Sequence, residues 1–134
     1  MIDSPHGTLI LIDTNIWVDH FQRANRHVLA LLDAGRVVMH PHIVVELALG
    51  GLRDRDLTLA SLELLPELPV AELHEVRQLI EIRKLYTLGV GFVDAHLIAS
   101  LIIVQTPTGL WTNDDALKRI AESFGFLANP QFRV

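Results

Sequence analysis

Four carboxylates in this chain stand where an ordinary surface acid would not. Asp13 closes the apolar run Leu9-Ile10-Leu11-Ile12, and Glu46 interrupts Ile43-Val44-Val45 and Leu47-Ala48-Leu49. Asp94 follows Phe92-Val93, and Asp114 follows Trp111-Thr112-Asn113. An ionised carboxylate in an apolar setting takes up a proton or finds a cation. Four of them converging would repel one another unless positive charge lay between them. The chain has no cysteine, so the simplest partner is a hard divalent ion held by oxygen ligands. The pattern therefore points to metal-assisted chemistry.

Each acid also has a structural reading. Asp13 can cap the helix that follows it, and Asp94 and Asp114 can be helix-start acids favoured by the macrodipole. Glu46 is harder to account for, because a lone Glu in an apolar segment needs a dedicated partner. Their joint occurrence shifts the balance toward chemistry.

The elements that must position them follow from hydrophobic periodicity. Thr8 to Asp13 reads as a strand buried on both faces, which points to a parallel sheet. Thr14 and Asn15 are N-cap types, so a helix begins near Ile16. A second helical stretch from Val28 stops at Gly35. Arg36 to His40 reads as a strand, and Pro41 opens a helix that runs to Leu49 and ends at Gly50-Gly51. Further helices are expected over Asp54 to Leu65, Glu72 to Leu88 and Val93 to Val104. In the second of these, Leu73, Val76, Leu79, Ile80 and Leu85 are assigned to one face. Gly109 to Thr112 forms a strand, Asp114 to Phe124 a helix, and Gly125 to Leu127 a last strand.

Strands alternating with helices give a three-layer α/β/α domain around a central parallel sheet. Ligand sites in that architecture form beyond the carboxyl ends of the strands, where Asp13 and Asp114 fall. The 134 residues are read as one domain, with flexible ends at 1–7 and 128–134.

Net charge is −5, which argues against a protein that coats nucleic acid but not against a nuclease. No apolar run approaches the roughly 20 residues that span a bilayer. Met1 to Gly7 lacks the basic region of a signal peptide. A cytoplasmic location with no membrane attachment is the expectation.

The Leu-Ile-Asp13-Thr14-Asn15 start, Glu46, Val-Asp94-Ala95-His96-Leu-Ile-Ala and Thr112-Asn113-Asp114 occur in an order and context that resembles a PIN domain. More narrowly, the chain looks like the compact VapC-type toxins of toxin–antitoxin pairs, from Thr8 to about Leu127. The resemblance implies a Mg2+- or Mn2+-dependent endoribonuclease leaving a 5′-phosphate and a 3′-hydroxyl. It makes Asp13, Glu46, Asp94 and Asp114 the catalytic quartet. Asp13, Asp94 and Asp114 would hold the metal, and Glu46 would complete the shell or orient the water. Thr112 would support the site through its hydroxyl, and Asn15 would orient Asp13 or a bound water. A homodimer and a cognate VapB-type antitoxin are further implications. Family members often carry a basic residue where Asn113 stands here, so a substrate contact from that position is in doubt. Asp115 is the alternative to Asp114, although helix geometry turns it about 100° away.

Other residues are not promoted. Seven histidines invite a zinc reading, but His40, His42 and His96 lack structural-zinc spacing; His96 lies near enough to Asp94 for a role at the phosphate. Trp17, Phe21 and Trp111 read as core. Arg53, Arg55, Arg77, Arg83 and Lys84 form a surface pool for RNA backbone contact, with Lys118 and Arg119 better placed by proximity to Asp114. Two other functional readings are a metal phosphohydrolase of small phosphate esters and a non-catalytic interaction module. The first is weakened by the absence of an Asp-x-Asp pair at Asp13-Thr14-Asn15. The second is weakened by an acid cluster that would be costly to keep without a cation.

Overall fold

A computed structural model describes residues 8–128. Strand β1 (Leu9–Ile12) is followed by α1 (Thr14–Gln22), α2 (Arg26–Asp33), β2 (Val37–Val38), α3 (Pro41–Ala48) and α4 (Arg55–Glu63). Then come α5 (Leu73–Ile82), α6 (Phe92–Ile103), β3 (Thr108–Trp111) and α7 (Asp115–Phe124). The sheet order is β2-β1-β3, parallel throughout, and the helices complete the three-layer α/β/α arrangement.

Strand β1 is central because its sequence allows nothing else. Its Ile10, Leu11 and Ile12 are fully buried, as a strand covered on both faces requires. Pairing runs Ile10 to Val37 on one side and Leu9 to Thr108 through Ile12 to Trp111 on the other. This register brings the carboxyl ends of β1 and β3 level, so that Asp13 and Thr112 leave the sheet side by side. At Gly109 the strand is closely covered: a Cβ there would come into ordinary van der Waals contact with Ala128 Cβ at 3.4 Å and with Ile10 Cδ1 and Phe126 O at 3.5 Å.

The terminal strand expected over Gly125 to Leu127 reduces to a single parallel bridge, Leu110 to Leu127, flanked by bonds from Leu110 N to Phe126 O and Ala128 N to Leu110 O. Gly125, at φ 81°, ends α7 in the left-handed conformation that glycine adopts without strain. The second strand is likewise short, and Met39 leaves it to bridge Glu67. The expectation for the ends lies outside the described residues, except that Ala128 is buried.

The helix expected from Glu72 to Leu88 is broken. It ends at Ile82, Lys84 turns left-handed at φ 53°, and a short 3-10 turn covers Leu85–Thr87. The cause is a face conflict. Leu85 lies nine residues after Val76, half a turn out of phase at 100° per residue, so a continuous helix would carry it to the opposite face. The break lets both Val76 and Leu85 be buried. Leu73, also assigned to the apolar face, is 66% exposed.

Helix α1 packs on α3, α3 on α4, and α5 on α6. Helix α6 is buried continuously from Ala95 to Leu101, which leaves its first turn as the place where a polar group can serve a site.

Candidate active site

Asp13 is both ligand candidate and helix cap. Its Oδ1 accepts from the backbone N–H of Thr14 at 2.8 Å, which makes it the N-cap of α1, as its capping reading expects, with Thr14 and Asn15 inside the helix. Its Oδ2 accepts from the Thr112 hydroxyl at 2.7 Å. Both oxygens are thus held, and the residue is only 7% exposed.

Thr112 links this acid to the next. While donating to Asp13, its Oγ1 accepts from the backbone N–H of Asp114 at 3.0 Å. Asp114 in turn caps α7, its Oδ1 accepting from Leu117 N–H at 2.8 Å. Asp114 and Asp115, the first residue of α7, are both exposed; Asp114 is the one tied to Thr112.

Glu46 finds the partner that its apolar surroundings require. The Thr14 hydroxyl donates to its Oε1 at 2.6 Å. Sequence reasoning treated Thr14 as a capping type, whereas it joins Glu46 to Asp13. Asn15, expected to orient Asp13 or a bound water, is exposed; the hydrogen bonds to the Asp13 carboxylate come from Thr14 and Thr112, and the role toward a water stays a proposal.

Asp94, in the first turn of α6, meets the others through charge. Burial pushes its carboxyl up to about 6, and the negative charges of Asp13, Asp114 and Glu46 push it further in the same direction. Burial and like charge favour the protonated form, and a cation would reverse that. Among the described residues, no three Asp, Glu or His side chains are gathered tightly enough to hold one ion. The donor set itself is hard oxygen throughout and matches Mg2+ or Mn2+.

A cleft of about 380 Å³ opens beside Glu46 and is bordered by Val18, Gln22, Arg53 and Thr58. Arg53 is thus a member of the basic pool that lines the cleft beside Glu46. Arg55 instead donates to the carbonyls of Ala48 and Gly50 at the end of α3. Arg77 pairs with Glu81, and Arg83 covers the Phe124 ring. Trp17 and Trp111 are buried in the core, and Phe21 packs against it.

A second polar cluster lies on the same two helices. His40 Nε2 is 3.0 Å from Ser100 Oγ, His42 Nε2 is 2.9 Å from His96 Nδ1, and His96 Nε2 is 2.7 Å from Ala71 O. With both ring nitrogens engaged and only 5% exposure, His96 does not face a phosphate. Burial, then the neighbouring histidines, lower His40 to about 4. His42 is lowered by burial and His96, against a raising effect from Glu46. The cluster was not legible in advance because its members are scattered over positions 40, 42, 71, 96 and 100.

Comparison with known proteins agrees with this geometry. The chain matches the PIN domain over residues 10–123. It is 37% identical over 117 residues to Ribonuclease VapC32 from each of two strains of Mycobacterium tuberculosis, which covers 87% of this chain and 94% of the relative.

Proposed function

This chain belongs to the PIN-domain family, and from that premise we propose that it is a metal-dependent endoribonuclease, the toxin of a toxin–antitoxin pair. The observation that carries the proposal is one hydrogen-bonded chain, Glu46–Thr14–Asp13–Thr112–Asp114, that joins acids from three separate segments. Asp94 completes the group through its electrostatic coupling to the same three carboxylates. The likeness to Ribonuclease VapC32 supports RNA as substrate.

Asp13, Asp94 and Asp114 would hold Mg2+ or Mn2+, with Glu46 completing the set. The chemistry a divalent ion would supply there, when bound, is activation of a water for attack on a phosphodiester and neutralisation of charge on the leaving oxygen. The protein's own part is to keep the acids oriented. Thr112 and Thr14 fix the carboxylates of Asp13 and Glu46, which limits the reorganisation needed when substrate arrives. A cation held beside Asp94 would oppose the upward push that burial and the other acids exert on its carboxyl. Arg53, at the cleft beside Glu46, is placed to meet the RNA backbone.

A homodimer and inhibition by a cognate VapB-type antitoxin are part of the same reading. Purified protein is expected to cut RNA in the presence of Mg2+ or Mn2+, leaving 5′-phosphate ends, and Asp13→Asn is expected to be inactive. Undiminished cleavage in EDTA, or an active Asp13→Asn protein, would overturn the proposal.

A further inference from the structure

We infer that His42 and His96 are positioning residues, whose ring-to-ring hydrogen bond ties α3 to α6 and so sets Glu46 against Asp94. The inference rests on the reading that these acids share a divalent ion.

The direction of each bond follows from the acceptors. A carbonyl oxygen only accepts, so His96 Nε2 carries the proton given to Ala71 O, and its Nδ1 is bare. His42 must then present Nε2–H to that bare nitrogen, at 2.9 Å. On the neighbouring ring, His40 Nδ1 accepts from His42 N–H at 3.2 Å, which leaves Nε2–H to donate to Ser100. Each ring is thereby fixed in one tautomer and one orientation.

The bonds divide into two sets. Positions 96 and 100, one turn apart on α6, grip the Ala71 peptide from both sides: Ser100 Oγ accepts its N–H at 3.1 Å and His96 Nε2 donates to its carbonyl. That set anchors the segment before α5 and is buried. The His42–His96 bond is different. It lies at the half-exposed edge of the cluster, under the Phe92 ring, whose centroid is 5.6 Å from each of the two imidazoles. His42 stands one helical turn before Glu46 on α3, on the same face. His96 stands two residues after Asp94 on α6. A bond between the two rings therefore connects the backbone segments that carry two of the four acids. Outer partners of this kind typically govern how well ligands are presented to an ion.

The test separates positioning from packing. Mn2+ affinity is read from the electron paramagnetic resonance of the free ion, and the melting temperature of the metal-free protein is read alongside it. His42→Ala is expected to weaken Mn2+ binding about tenfold, in the range for lost outer partners, with the metal-free melting temperature nearly unchanged. His96→Gln keeps the donor to Ala71 O but has no acceptor where Nδ1 stood, so it should show the same weakening. His96→Asn keeps an acceptor toward His42 and loses the Ala71 bond, so it should bind Mn2+ like the wild type and melt lower. The double variant His42→Ala with His96→Gln should bind no worse than either single one, as two ends of one bond require. Wild-type affinity in both His42→Ala and His96→Gln, with Asp94→Asn unable to bind, would overturn the inference alone. Equal loss in His96→Asn and His96→Gln would overturn it in favour of simple packing. Equal binding by Asp94→Asn and the wild type would instead sink the reading of the acids as a metal site.

Discussion

Helices α3 and α6 each contribute to two polar clusters, and the clusters are built on opposite principles. At the histidine cluster, donors and acceptors close on one another: His96 to Ala71, His42 to His96, His40 to Ser100. Bonds made in this way offset the cost of burying the polar rings. At the acidic centre, hydrogen bonds orient Asp13, Glu46 and Asp114 but leave their charge uncompensated. Burial, and then the charge of these acids, raise the Asp94 carboxyl to about 6. A closed polar cluster is a structural joint. An oriented but charge-unbalanced one is, on the proposed function, where a cation would bind.

The largest expected effect separates the two acids that open α7. Asp114→Asn should lower RNA cleavage by more than about a hundredfold, as loss of an ion's direct ligand should exceed the loss of an outer partner. Folding should be spared, because Asn caps helices as well as Asp does. Asp115→Asn should leave cleavage nearly unchanged. Rate measurements on the two variants decide the assignment, and equal losses would blur the boundary drawn around the centre.

The two clusters should also respond to acid with opposite signs. His40 is held at about 4 against an ordinary 6.5. Its contribution is fully present above pH 6.5 and is lost as pH falls through about 4, by about 2–3 kcal/mol. Urea unfolding across that window should show the loss, and His40→Gln should flatten it. Thr112→Val removes the donor to Asp13 and strands the Asp114 N–H, at a cost of about 2 kcal/mol in stability. Thr112→Ser should restore both stability and cleavage. Asp94 behaves the other way round. Its folded pKa is raised, so the stability linked to its protonation is present below pH 3.8 and lost as pH rises through about 6. In metal-free protein, Asp94→Asn should therefore stabilise by about 1–2 kcal/mol at neutral pH and by nothing near pH 3.5. A stability gain that ignored pH would mean that Asp94 does not feel the other acids.

The contrast also explains what could be read from the residues in order. Asp13 and Asp114 follow apolar strands, and Glu46 breaks an apolar run, so their positions are unusual in one dimension. Thr14 was legible only as a helix-start type; its bond to Glu46 depends on α1 packing against α3. The break at Lys84 follows from a phase conflict between Val76 and Leu85, which an average over the helical face conceals. The histidine joint depends on a backbone carbonyl at Ala71, which carries no signature in the side-chain pattern. Local order thus reveals groups that violate their surroundings and hides those satisfied by tertiary contacts.

The most direct test is a titration of the Asp94 carboxyl carbon by nuclear magnetic resonance, without and with Mg2+. A centre of four coupled acids prepared for a cation predicts a midpoint near 6 in metal-free protein, falling well below that when Mg2+ is added. A midpoint in the ordinary carboxylate range that does not move with Mg2+ would contradict the account.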